Sequence, residues 1–203
     1  MSYRSGGMQL LIRRGFKFEL RPKGMQIQLM MQFCGCARYV YNRTLSLEKS
    51  LYKKDSKHSF KYTAAANRLP GWKKKNPFLK KCHSQVLQQS LKDLELAYIN
   101  FFEKRSNFPK YKKKFQHDSI RFPQGVELDE VKQQIRLPKI GWMGYRKSRD
   151  IIGTIKNVTV SRRGEKWDVS IQTEYEVVSS APNPSEIGID MGVKRFVTMS
   201  NGD

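Results

Sequence analysis

GFKFELR, residues 15–21, and PKGMQIQLMMQFCGCARYVYNRTLSLEKSL, residues 22–51, sit side by side in the chain with different apolar rhythms. In the first, Phe16, Phe18 and Leu20 alternate with Lys17, Glu19 and Arg21, the period of two expected of a half-buried strand, and Pro22 ends it. Beyond Gly24, Leu29, Phe33, Ala37, Val40, Leu47 and Leu51 recur at three- to four-residue steps, with a gap at Thr44. That spacing predicts one long amphipathic helix. Arg38 and Asn42 are four apart and share a face of it.

Working outward, the next stretch reads as a linker rich in Lys, Gly and Pro, through Pro70, Gly71 and Pro77. Leu87, Leu91, Leu94, Tyr98, Phe101 and Phe102 mark a second amphipathic helix, with Ser84 as its N-cap and Pro109 beyond its end. The two helices are expected to pack on each other. From Ser119 the period returns to two: Ile120 and Phe122, Val126 and Leu128, Ile135 and Leu137. Val158 and Val160, a turn at Arg162 to Gly164, then Trp167, Val169 and Ile171 read as a hairpin. The opening strand needs partners, and these later strands are the ones available. The expectation is an α+β chain in which a helical segment interrupts a small β-barrel or half-barrel. Pro182 and Pro184 mark a linker, and a new apolar strand begins at Ile187.

Charge narrows the function classes. The 203 residues carry 39 Lys and Arg against 18 Asp and Glu, a net charge of +21, so the expected partner is a polyanion. The excess is concentrated. Leu51 to Cys82 hold ten basic residues, among them Lys73, Lys74, Lys75, Lys80 and Lys81, against the single acid Asp55. A second run, Lys104, Arg105, Lys110, Lys112, Lys113 and Lys114, contains no acid. Phe108, Tyr111 and Phe115 interleave with that run, either as stacking partners for bases or as core. The longest uncharged stretch, Gly24 to Ala37, is too short and Gln-rich to span a bilayer, and no secretory signal is expected, so the expected location is cytoplasmic. The spacing of Cys34, Cys36 and Cys82 is not that of a zinc finger.

One stretch points to chemistry. Ile187-Gly188-Ile189-Asp190-Met191-Gly192 puts a carboxylate at the end of a short apolar strand, and a second strand follows from Arg195 to Met199. An RNase-H-like nuclease needs an acid on a rigid strand to hold a divalent cation, with small neighbours that let a phosphate approach. Taken alone the pattern is weak, and Asp190 reads first as the start of a turn.

The whole chain from residue 8 to 203 resembles the OrfB/TnpB family of transposon-associated RNA-guided DNA endonucleases. The similarity is carried by Phe18 to Pro22, Gly35 to Leu45, Ser84 to Leu94 with Asn100-Phe101-Phe102, Phe108 to Lys113, Ser119 to Pro123, Leu137 to Gly141, and Gly188 to Val193, in that order. The resemblance implies a wedge-like β-barrel of residues 8–21 and 119–178, interrupted by a helical lobe of residues 22–118 whose opening is helix-turn-helix-like. It further implies a linker at 179–186 and, at 187–203, the first hairpin of an incomplete RNase-H-like (RuvC) domain.

It also implies a guide RNA and double-stranded target DNA as partners, with Asp190 as the first catalytic, metal-binding acid. Mg2+ or Mn2+ would be the cofactor of a complete site. The family's further acids and zinc-binding insert lie beyond residue 203, so residues 1–203 are expected to bind without cutting. Arg38, Tyr41 and Asn42 would contact DNA beside the target, or Arg38 and Asn42 would brace the helix against the barrel. Two other readings are a nuclease-lacking regulator derived from the family and a general RNA-binding protein.

Overall fold

The computed structural model describes residues 8–179, 189–190 and 198–199. Two compact units divide the chain, residues 13–174 and residues 1–12 with 175–203. The first strand, β1 (Met8–Arg21), buries Phe16, Phe18 and Leu20, as its alternation predicts. Pro22 cannot donate to a ladder, and Lys23 turns the chain into α1 (Gly24–Lys54). Gln26 fixes this entry. Its side-chain oxygen accepts from Lys23 N at 2.9 Å, and its amide nitrogen donates to the Trp142 carbonyl at 2.7 Å.

At 31 residues α1 is about 46 Å long. Its buried face runs through Met30, Phe33, Ala37, Val40, Tyr41, Thr44, Leu45 and Glu48. Thr44 is therefore part of that face and not a gap in it, because its hydroxyl donates to the Val40 carbonyl at 2.8 Å and so loses nothing by burial. Leu47 and Leu51, placed on the apolar face by their spacing, are only half-buried.

The expected linker folds instead as three short helices, α2 (Tyr62–Asn67), α3 (Leu69–Lys75) and α4 (Phe78–Lys81). Pro70 sits in the first turn of α3 and Pro77 at the N-cap of α4, positions where the missing N–H costs nothing. Leu69, Trp72 and Leu79 anchor them in the core. The helix α5 (Ser84–Phe102) follows, with His83 and not Ser84 at the N-cap. It packs on α1 through a cluster of Tyr41, Leu45, Leu94 and Tyr98. Phe102, expected on the packed face, is 63% exposed.

The remaining strands are β2 (Ser119–Phe122), β3 (Glu127–Asp129), β4 (Gln134–Leu137), β5 (Gly141–Tyr145), β6 (Thr154–Arg163) and β7 (Lys166–Ser179). With β1 they form a seven-stranded sheet in the order β2-β6-β7-β1-β5-β4-β3. The β6–β7 hairpin has Val160 opposite Val169 and Val158 opposite Ile171, and Gly164, at φ 61°, supplies the left-handed turn residue.

The architecture is α+β, but the sheet is not closed into a barrel. Its ends are the two short strands β2 and β3, and among the described residues no pairing joins them. Helices α1 and α5 lie against β2.

Of the expected linker at 179–186 and hairpin at 187–203, only Ser179, β8 (Ile189–Asp190) and β9 (Thr198–Met199) lie among the described residues. The last two pair antiparallel, Ile189 opposite Met199 and Asp190 opposite Thr198. No helix among the described residues is long and apolar enough to cross a membrane.

Candidate nucleic-acid interface

Between α5 and β2, residues 103–118 form a strap tied to α1. Asn42 holds it with both halves of its amide: Nδ2 donates to the Lys112 carbonyl at 2.9 Å, and Oδ1 accepts from Lys112 N at 2.8 Å. One turn earlier Arg38 Nη2 donates to Asp118 Oδ1 at 2.8 Å, and the other oxygen of this buried carboxylate accepts from Phe115 N at 3.2 Å. Tyr41 is buried, and burial together with nearby Asp93 raises its hydroxyl pKa. Lys112 Nζ lies 4.4 Å from the centre of its ring. Arg38 Nη2 and the Asn42 amide thus tie α1 to the strap.

Most of the strap's side chains are exposed, while Pro109 and Asp118 are buried. Phe108, Tyr111 and Phe115 are 39%, 48% and 59% exposed, so none of the three is core. Lys49 Nζ lies 4.6 Å from the Tyr111 ring centre, and Arg162 sits 4.9 Å from that of Phe115. Lys110, Lys113 and Lys114 are exposed, as are Lys74, Lys75, Lys80 and Lys81 on α3 and α4. Among the described residues no carboxylate pairs with any of these seven. Lys73 donates to Ser84 Oγ at 2.8 Å, and Lys112 is 3.6 Å from Asp93.

A groove of ≈ 720 Å³ runs along α1, and α3 contributes Trp72 to its lining. At 100° per residue Gly35 and Ser46 fall on its floor, Arg38 and Asn42 on the strap side, and Tyr39 and Arg43 toward Trp72. Arg43 is held by aromatics. Its guanidinium donates to Tyr39 Oη at 2.8 Å and lies 5.2 Å from the Trp72 ring centre and 5.8 Å from that of Tyr39. A second, apolar pocket of ≈ 280 Å³ lies where the ends of α1 and α5 meet the strap, walled by Phe60, Tyr98, Phe102 and Phe108. Buried Glu48 lies in its wall, bonded to Arg68 at 2.9 Å and to His58 at 2.6 Å.

Asp190 is described at the level of its strand, the last residue of β8. Gly188, Met191 and Gly192 lie outside the described residues. Among the described residues no three His, Cys, Asp or Glu side chains converge as a metal site.

Residues 8–57 match the helix-turn-helix domain family of OrfB proteins. In this structure the matched stretch is β1 followed by α1. Over 93% of its length the chain is 47% identical to a protein of Escherichia coli K12 that bears the provisional name RNA-guided DNA endonuclease InsQ. Over 97% it is 32% identical to a similarly named protein of Streptomyces pristinaespiralis.

The chain belongs to the OrfB/TnpB family. It spans about half the length of the curated relatives it matches, 48% and 50% of theirs. Among solved structures, a chain of a Cas12f1–sgRNA–target DNA complex aligns at a TM-score of 0.44 and 17% identity, covering 93% of this chain and 54% of that one. Several features of this OrfB/TnpB chain escape a reading of its sequence: the groove with Arg43 and Trp72, the aromatic pocket, and the buried Glu48. The four-residue spacing of Tyr39 and Arg43 is the one signal that points to the groove.

Proposed function

We propose that this chain is the nucleic-acid-holding portion of a transposon-encoded RNA-guided DNA endonuclease, binding guide RNA and double-stranded target DNA. The observation that carries the reading is the set of seven exposed lysines without carboxylate partners on α3, α4 and the strap. Lysines left uncompensated in this way neutralise phosphates and release counterions. The exposed Tyr111 and Phe115 beside them offer faces on which bases stack. The names of the two relatives support the guided-endonuclease part of the reading.

Asp190 is the one residue assigned to catalysis and to binding Mg2+ or Mn2+. It would need partner acids, and among the described residues no group of three metal-ligating side chains forms, so residues 1–203 are expected to bind without cutting. The test supplies the purified chain with an RNA complementary to one of two labelled DNA duplexes. Preferential retention of the matched duplex supports the reading, whereas RNA binding that leaves DNA choice unchanged makes the protein a general RNA binder. A magnesium-dependent cut that disappears in Asp190→Ala would overturn the non-cleaving part.

A further inference from the structure

Gly35 is a costly residue where it stands. Glycine inside a helix destabilises it relative to alanine, and nothing within the chain asks for one here: a Cβ built at Gly35 meets no atom within 4 Å. Its neighbours on α1, Cys34 and Cys36, are buried, while Gly35 opens onto the groove floor. The space it leaves is therefore space for something outside the chain. Two turns along, about 12 Å away, stands Arg43. Its guanidinium is oriented by Tyr39 and Trp72, and among the described residues no carboxylate neutralises it. Arg38 on the strap side is already matched by Asp118, which leaves Arg43 as the groove's unneutralised cation. About one turn beyond Arg43, Ser46 is exposed, and no hydrogen bond within the chain engages its hydroxyl among the described residues.

We infer that this groove seats a single strand of RNA, with its backbone drawn close over Gly35, a phosphate on Arg43 and a 2′-hydroxyl at Ser46. The inference rests on the nucleic-acid reading above and adds a site and a strand type to it. A depression of ≈ 720 Å³ along one helix offers a bed for the backbone of one strand. A free serine hydroxyl at the floor can pair with the 2′-hydroxyl, the group that separates RNA from DNA. An aromatic-stacked guanidinium presents its remaining N–H donors to phosphate oxygens at little conformational cost.

The experiment measures binding of the 203-residue chain to a labelled single-stranded oligoribonucleotide and to the deoxy strand of the same sequence. Gly35→Ala is expected to raise the Tm by about 2–4 °C, since alanine favours the helix and meets no neighbour. Gly35→Gln, which fills the floor, is expected to weaken RNA binding at least tenfold, and Arg43→Gln to weaken it by about tenfold with a shallower salt dependence. Ser46→Ala should reduce the preference for RNA over DNA while leaving the deoxy strand's affinity unchanged.

RNA affinity that Gly35→Gln leaves unchanged in a folded protein would overturn the groove assignment. A loss equal on both strands would overturn its choice of RNA. A wild-type chain that binds neither strand sinks the broader reading instead, so the two failures are distinguishable.

Discussion

Asn42 shows what one side chain does for a surface segment. Its amide satisfies both peptide groups of Lys112, and removing it strands a donor and an acceptor that are partly buried. Asn42→Ala should cost about 1–3 kcal/mol and loosen the strap. Limited trypsin digestion is expected to cut faster at Lys110, Lys113 and Lys114 in the variant, and unchanged digestion would separate the strap's order from these two bonds. His83, at the N-cap of α5, is held neutral: burial first, then Lys139 and Lys73, push its pKa below 6.5. In the unfolded chain it takes up a proton as pH falls through 6.5, whereas the folded protein resists until a lower pH. Stability contributed by neutral His83 is thus present above 6.5 and lost as pH falls toward the folded value. Urea midpoints taken at about pH 7.5 and about 5.5 should show a smaller difference in His83→Gln than in the parent. The sequence placed Arg38 and Asn42 on one helix face but left their partners open, because Asp118 and Lys112 lie 80 and 70 residues further on.

Elements whose period was strict were the most legible. The alternation in Phe16-Lys17-Phe18-Glu19-Leu20 and in Trp167-Asp168-Val169-Ser170-Ile171 decides which residues face the core, and the structure buries Phe16, Phe18, Leu20, Trp167, Val169 and Ile171. Closure of the sheet was not legible, since alternation says that a strand has one buried face and nothing about whether the sheet's ends meet. The short helices α2, α3 and α4 were missed for another reason. Pro70 and Pro77 read as breakers, yet each stands at a helix start, where proline is tolerated. Trp167, opposite Arg162 and 2% exposed, carries the hairpin. Trp167→Ala should destabilise the fold by about 3–5 kcal/mol, read as a lower urea midpoint, and a loss near zero would mean that the sheet repacks around the gap.

For the whole molecule, charge governs association. Replacing Lys110, Lys113 and Lys114 by Gln is expected to flatten the dependence of log K on log salt by about 2 for single-stranded RNA. A titration across salt concentrations measures this, and an unchanged slope would remove the strap from the interface. The polyanion partner was legible from composition alone, because +21 over 203 residues needs no structure to interpret. The groove was not, since its floor is made by the absence of a side chain at Gly35, and a missing group leaves no trace in an apolar pattern.

The sheet order has a consequence for how the protein is made. Strand β1 sits inside the sheet, between β7 and β5, yet it leaves the ribosome first, and β5 begins only at Gly141. At translation speeds of about 5–20 residues per second, the edge that pairs with β5 waits on the order of 6–24 seconds for its partner, and the edge that pairs with β7 waits longer, because β7 begins only at Lys166. A nascent strand with both edges bare is a template for mispairing between neighbouring chains on a polysome. Arg13, Arg14, Lys17 and Arg21 are spaced along it and repel a second copy of the same segment. The basic residues of β1 thus guard a young chain before they face solvent in the finished one.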